Sequence, residues 1–270
     1  LVPSEDQSYH QTRIEQGEPI RSCLQHELGL VFHLLGEIAY GNVKDLDTAK
    51  QWYQRSLSYH QTHTMPLVPS LDQIFLRLQE YGMIYKKEMI YYLTPLGKVC
   101  SMFYLHPLDV KAWHDNFQWF FQQGSRVELH SKKQDVLTSL CLTNVPSYHG
   151  MYFTLDVAYQ DDPEFLGFHD YEDLSREFQL ENRTTVSNIQ MGYLLYCLMN
   201  GIFTGEISYS AIKTIEHDHE RILQALQTMD GLVTHWNQEH FWKMLNLRLT
   251  YKVPVRYLEL VKIPGIGKAL

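Results

Sequence analysis

The chain has 270 residues and a formal net charge of −8, and its 44% hydrophobic content is typical of a globular protein with a sizeable core. No stretch reaches the roughly 18 apolar residues of a membrane-spanning helix, and the first residues lack the pattern of a secretory signal. The four cysteines are far apart, so neither a zinc site nor a disulfide framework is predicted, and we expect an intracellular, reducing environment.

The pattern of apolar residues predicts a mainly α-helical fold in four regions. These are a polar connector over 1–20, a winged-helix-like domain over 21–107, a helical bundle over 108–250 and the start of a helix-hairpin-helix over 251–270.

The first domain has the order of elements found in a winged helix. Apolar residues recur at intervals of three and four over 23–40 and 70–81, which predicts amphipathic helices. Two short strand-like runs, 83–86 and 89–93, then enclose a charged turn. Winged helices bind duplex DNA or act as rigid spacers between proteins. Because Arg77 is the only basic residue of the candidate recognition helix, we favour a spacer.

The bundle is predicted from a series of apolar and aromatic helical stretches. They cover residues 108–123, 135–145, 172–180, 187–199, 209–229 and 232–249. The helix over 209–229 has one apolar side. Its polar side carries Lys213, His217, Arg221 and Gln224 about one to two turns apart, which is close to the spacing of successive bases.

The histidines of the chain form no metal-binding motif. His60 and His63 lie in a polar stretch without a nearby carboxylate or thiol, and His217 and His219 are about 200° apart on a helix. The sequence also lacks a Gly-x-x-x-x-Gly-Lys-Ser/Thr loop and a Gly-x-Ser-x-Gly elbow. We therefore predict neither a metal site nor a catalytic residue in this chain.

The last part of the chain is strongly cationic. Between Lys243 and Leu270 there are six basic residues and one acidic residue, Glu259, so this segment carries +5 and the preceding 242 residues carry −13. A cationic segment on an acidic body predicts a local surface for a polyanion. A solvated basic face on a terminal helix is the alternative.

Residues 251–270 predict the first half of a helix-hairpin-helix. A short apolar run ends before Pro264, Gly265 turns the chain, and Gly267 begins a new helix whose amides can face a phosphate. The candidate phosphate contacts are Lys252, Arg256, Lys262, Gly265, Gly267 and Lys268. An ordinary Pro-Gly turn is the alternative. Because the second helix barely begins before Leu270, we expect a fragment of a longer protein.

Several segments, in this order, resemble the C-terminal half of superfamily II DNA repair helicases of the HELQ kind and their archaeal counterparts. They are residues 92–98 (YLTPLGK), 103–108 (FYLHPL), 137–141 (LTSLC) and 249–253 (LTYKV), followed by the terminal hairpin. The resemblance extends over roughly residues 24–270.

This resemblance implies a part in unwinding DNA with 3′ to 5′ polarity. In that family, two upstream RecA-like domains bind ATP and Mg²⁺ and form the motor. The winged helix braces the motor, and the bundle closes a ring around single-stranded or forked DNA. The fragment itself would need no cofactor, and the protein would be nuclear in a eukaryote or cytoplasmic in an archaeon.

One long "ratchet" helix of that family lays basic and aromatic side chains along the strand, and residues 209–229 are similar to it. The family's arginine position falls near Lys213 and Thr214, whereas its base-stacking tryptophan falls on Arg221. This is a departure from the family pattern. Since a guanidinium plane can also stack on a base, we expect Arg221 to keep a contact with the strand.

Two other functions fit the same residues. Related RNA-processing helicases carry a similar module, and the partner would then be RNA or another protein. The acidic body and the aromatic helices are also typical of a helical scaffold that binds no nucleic acid.

We expect the purified chain to hydrolyse no ATP, because its sequence lacks a nucleotide-binding loop, and to bind single-stranded DNA weakly. Binding should weaken steeply with salt, since each neutralised phosphate releases counterions. A coupled ATPase assay and fluorescence anisotropy over a salt series measure both properties. Nucleotide turnover by this chain would contradict the helicase resemblance.

Overall fold

A computed structural model describes residues 7–17, 21–62, 69–122, 132–148, 186–202, 209–261, 263 and 265. This part of the chain is mainly helical with a small two-stranded antiparallel sheet, which confirms the predicted fold class. The predicted helix over 172–180 lies outside the described residues. The winged helix and the helix-hairpin-helix stay predictions.

The helices are α1 (Gln7–Gln16), α2 (Glu27–Tyr40), α3 (Leu46–Gln54), α4 (Leu57–Gln61), α5 (Leu71–Glu80), α6 (Pro95–Met102), α7 (Pro107–Gln122), α8 (Lys132–Thr143), α9 (Val186–Asn200), α10 (Tyr209–Met229), α11 (Glu239–Tyr251) and α12 (Leu258–Val261). The strands are β1 (Ile84–Lys87) and β2 (Ile90–Leu93). Short 3-10 turns cover Cys23–Gln25, Pro146–Tyr148 and Val255–Tyr257, and a π-helical turn covers Asp230–Thr234.

The chain forms two compact units. The N-terminal unit contains residues 1–78 and 86–92, and the C-terminal unit contains residues 79–85 and 93–270.

The N-terminal unit has an apolar core to which α2 and α5 contribute buried leucine, isoleucine and phenylalanine side chains. The ring of Tyr91 stacks on Phe75 with centroids 4.2 Å apart. Arg77, the basic residue of the predicted recognition helix, forms an ion pair with Glu27. Arg77 is therefore already engaged within the unit.

Thr94 organises the chain that follows the hairpin. Its hydroxyl accepts a hydrogen bond from the Gly97 amide at 3.0 Å as the N-cap of α6, and it donates to the Gly82 carbonyl at 2.5 Å. A Cβ atom at Gly97 would overlap the carbonyl oxygen of Met83, so this position requires glycine. Two of the residues within the helicase-like segment 92–98 thus have local structural roles.

Helix α9 is buried along most of its length and packs against α8 in the C-terminal unit. Gly192 permits the close approach, because a Cβ atom there would lie 2.7 Å from a methyl carbon of Leu140. The side chain of Asn188 donates hydrogen bonds to the carbonyl oxygens of Thr143, at 2.7 Å, and Val145, at 3.2 Å. Asn188 thus provides hydrogen-bond donors for two carbonyl groups at and just after the C-terminal end of α8, where a helix leaves its carbonyl groups without partners.

An aromatic cluster connects α7 with the residues around α11. Its members are Phe117, Phe120, Phe121, Trp236, Phe241 and Trp242. The rings of Phe117 and Trp242 meet edge to face with centroids 4.9 Å apart. Such edge-to-face pairs are favourable beyond the area that they bury.

A buried ion pair joins three helices of the C-terminal unit. The guanidinium of Arg248 in α11 donates to both carboxylate oxygens of Asp135 in α8, at 2.5 and 2.7 Å. It also donates to the carbonyl of Met199, at 3.4 Å, and to the side chain of Asn200, at 3.2 Å, both in α9. The Arg248 and Asp135 side chains are 8% and 13% exposed, so solvent screens the pair weakly.

Among the described residues, no helix has both the length and the apolar character needed to cross a bilayer.

We expect Asp135→Asn to lower the free energy of unfolding by about 3–5 kcal/mol, because it leaves the buried Arg248 charge without its partner. Asp115→Asn is the matched control: Asp115 forms a partly exposed ion pair with Lys111, and its loss should cost less than about 1 kcal/mol. Urea unfolding followed by tryptophan fluorescence measures both values. Equal losses for the two variants would contradict a central role for the buried pair.

Candidate nucleic-acid interface

Helix α10 presents two different sides over the part whose side chains are described. Its buried side is formed by Ile222, Leu223, Ala225, Leu226 and Met229, and the helix packs against α11 and α6. Gln224 is exposed and Arg221 is partly exposed, so both predicted contacts lie away from the core. Lys213 and His217 are on the same helix, but their side chains lie outside the described part of the structure.

Arg221 is held in a defined position on α10. One terminal nitrogen donates to the Asp218 carboxylate at 2.8 Å, and the other donates to the backbone carbonyl of Tyr104 at 3.3 Å. The Arg221 side chain as a whole is 41% exposed, whereas its Nε atom is buried and has no hydrogen-bond partner among the residues that the structure describes. The pairing with Asp218 three residues earlier could have been predicted from helical spacing.

Tyr148 and Asp218 both lie close enough to Arg221 to interact with it electrostatically. Burial raises the pKa of the Tyr148 phenol, the carboxylates of Asp109 and Asp218 raise it further, and Arg221 acts in the opposite direction. Tyr148 is therefore a neutral phenol at physiological pH and adds no negative charge near Arg221.

The junction between α10 and α11 is organised by a buried carboxylate. Asp230 accepts hydrogen bonds from the amides of Asn237 and Gln238, both at 2.8 Å, and from the Trp242 ring nitrogen at 3.0 Å. These bonds hold a loop in which His235 and Asn237 have positive φ angles. The π-helical turn ends at Thr234 and α11 begins at Glu239, so the predicted continuous helix over 232–249 is wrong at residues 235–238.

Two cations of the predicted phosphate-binding surface follow α11 directly. Lys252 ends the helix with a left-handed φ of 54°, and its backbone amide donates to the Arg248 carbonyl. Arg256 is exposed in the next 3-10 turn, and its guanidinium lies 4.9 Å from the centroid of the Tyr257 ring. Arg248, in contrast, is buried in its ion pair and contributes nothing to a basic surface.

A small apolar cluster anchors this cationic segment to α11. Val253, Leu258 and Val261 are buried, and they pack with the partly buried Met244, Leu247, Tyr251 and Val255. Gly201, at the end of α9, approaches the same segment, because a Cβ atom there would lie 2.8 Å from the Lys252 carbonyl oxygen. The backbone that carries Lys252 is therefore fixed from two sides.

The predicted hairpin is described only in part. Gly265 has a left-handed φ of 92°, which fits a turn at this residue. Lys262, Gly267 and Lys268 lie outside the described residues. Within the described ranges, no group of three or more histidine, cysteine or acidic residues is arranged to hold a metal ion.

No protein-family model and no curated protein matches this chain.

We expect Asp230→Asn to lower the free energy of unfolding by about 2–4 kcal/mol. The side-chain NH2 group of asparagine cannot accept the hydrogen bonds that one carboxylate oxygen of Asp230 now accepts. Glu239→Gln is the control, since it removes one negative charge from an exposed position nearby. Urea unfolding at neutral pH compares the two variants. A loss for Asp230→Asn no larger than that of the control would contradict the role of Asp230 at this junction.

Proposed function

We propose that this chain is the non-motor C-terminal region of an ATP-dependent 3′ to 5′ DNA helicase and that it holds single-stranded DNA for the motor. ATP and Mg²⁺ would bind to upstream RecA-like domains. In this proposal the chain grips the sugar-phosphate backbone and does not read the bases.

The observation that carries the proposal is the cationic segment at the end of α11. Lys252 and Arg256 stand on a backbone that the apolar cluster and Gly201 hold in place, and Glu259 is the only acidic residue between Lys243 and Leu270. Fixed cations bind a polyanion more favourably than mobile ones, because less side-chain and backbone freedom is lost on binding. A segment of this kind suits phosphates.

The outer side of α10 supports the same function. Arg221 and Gln224 are three residues apart and therefore on one side of the helix. The hydrogen bonds that Arg221 donates to Asp218 and Tyr104 orient its guanidinium, and the side chain as a whole is 41% exposed. An oriented arginine with a partly exposed side chain can contact a phosphate or stack on a base.

For the winged-helix-like region, we propose a spacer role. The carboxylate of Glu27 engages Arg77, and the other charged residues of α5 are the acidic Asp72 and Glu80. A helix with this charge is unsuited to the major groove of duplex DNA. Contacts with upstream motor domains fit it better.

We expect Arg256→Glu to weaken binding of an oligothymidylate about five- to tenfold in low salt, because one phosphate contact becomes repulsive. The slope of log Kd against log salt should fall by about 0.7, the value for one contact with a single strand. Lys50→Glu is the matched control: it makes the same charge change at an exposed site in α3, 3.6 Å from Asp47. Fluorescence anisotropy over a salt series measures both variants.

Two results would contradict the proposal. If the unchanged chain binds neither DNA nor RNA in low salt, a helical scaffold is the better description. If Lys50→Glu weakens binding as much as Arg256→Glu, only the net charge matters and the segment after α11 is not the site. Tighter binding of oligouridylate than of oligothymidylate would move the assignment to an RNA helicase.

A further inference from the structure

Several of the described helices are followed by a residue in the left-handed conformation, and the type of residue at that position differs between them. Helices α2 and α9 are followed by Gly41 and Gly201, with left-handed φ angles of 84° and 64°. Helices α6 and α11 have Tyr104 and Lys252 in the left-handed conformation, with φ angles of 52° and 54°. Glycine adopts this conformation without a steric penalty, whereas residues with a Cβ atom adopt it at a steric cost.

The end of α6 shows both hydrogen bonds of a Schellman motif. The Tyr104 amide donates to the Ser101 carbonyl at 3.2 Å, and the Leu105 amide donates to the Cys100 carbonyl at 3.1 Å. Leu105, the residue after Tyr104, is buried. The backbone conformation at Tyr104 is thus fixed by its neighbours, and the position favours glycine.

The tyrosine ring at this position gains little from burial. Tyr104 is 63% exposed, so most of its side chain faces solvent. The backbone of Tyr104 has a conformation that favours glycine, yet the residue carries a large and exposed side chain. A backbone outlier of this kind is often found at functional sites, and an exposed aromatic ring suits binding. Arg221, a predicted contact with the strand, is adjacent, because it donates a hydrogen bond to the Tyr104 carbonyl.

We propose that Tyr104 is a stacking platform for a base of single-stranded DNA, placed beside Arg221. The inference rests on the proposed function and adds a residue that the ratchet-helix comparison does not include. The helicases that this chain resembles have a base-stacking tryptophan at the position of Arg221. Tyr104 would supply the aromatic ring that is missing at that position of α10. Arg221 would contact the strand next to the base that stacks on Tyr104.

The test compares a thymidylate strand with a strand of the same length made of abasic sites. Tyr104→Gly suits this test because glycine keeps the left-handed backbone, and the midpoint of thermal unfolding should not fall. We expect Tyr104→Gly to bind the thymidylate strand about five- to a hundredfold more weakly and the abasic strand unchanged. Tyr104→Phe should bind both strands like the unchanged chain, since the phenyl ring can also stack.

The outcomes separate this inference from the proposed function. If Tyr104→Gly binds the thymidylate strand as tightly as the unchanged chain does, Tyr104 is not a platform, although the clamp proposal stands. Equal weakening on both strands would also overturn the inference, since the effect would not depend on bases. If the unchanged chain binds neither strand, both proposals are wrong.

Discussion

The ion pair between Arg248 and Asp135 is the contact on which the C-terminal unit depends. It joins α11 to α8, and the same guanidinium reaches the end of α9. Moving both charges out of water is costly, and the bidentate geometry with added acceptors offsets that cost. We infer that the pair favours this arrangement of the three helices, because an arrangement that separates Arg248 from Asp135 would leave a buried charge without its partner. By fixing α11, it also fixes where Lys252 and the residues after it emerge.

Much of the helical architecture follows from local pattern. Helix α10 begins and ends where the alternation of apolar and polar residues predicts, and α7 differs by one residue at each end. The junction after α10 was not predicted, because the position of α11 depends on the carboxylate of Asp230 and not on hydrophobic spacing. Likewise, no sequence pattern links Asp135 to Arg248, which are 113 positions apart.

The residues of the candidate site also fall into two groups, those that the sequence predicts and those that only the structure identifies. Helical spacing predicts Arg221 and Gln224 as contacts, and the basic C-terminal segment predicts Lys252 and Arg256; the structure adds the groups that hold Arg221 and the backbone of Lys252. Tyr104 could not be selected, because a left-handed residue at a helix end is predicted from glycine and this chain has tyrosine there. The contribution of every predicted contact to binding stays a prediction, and for Lys213, His217, Lys262, Gly267 and Lys268 the side chains or whole residues also lie outside the described part of the chain.

Tyr104 and Lys252, which have a left-handed backbone conformation at the C-terminal ends of α6 and α11, affect the entropy change of any association that involves them. Ordering one residue's backbone costs about 1–2 kcal/mol, and a loop that closes on a ligand incurs that cost when it binds. At these two positions, capping hydrogen bonds have already restricted the backbone in the unbound protein. A ligand that contacts these two residues would therefore order mainly their side chains, and each contact would retain more of its interaction energy.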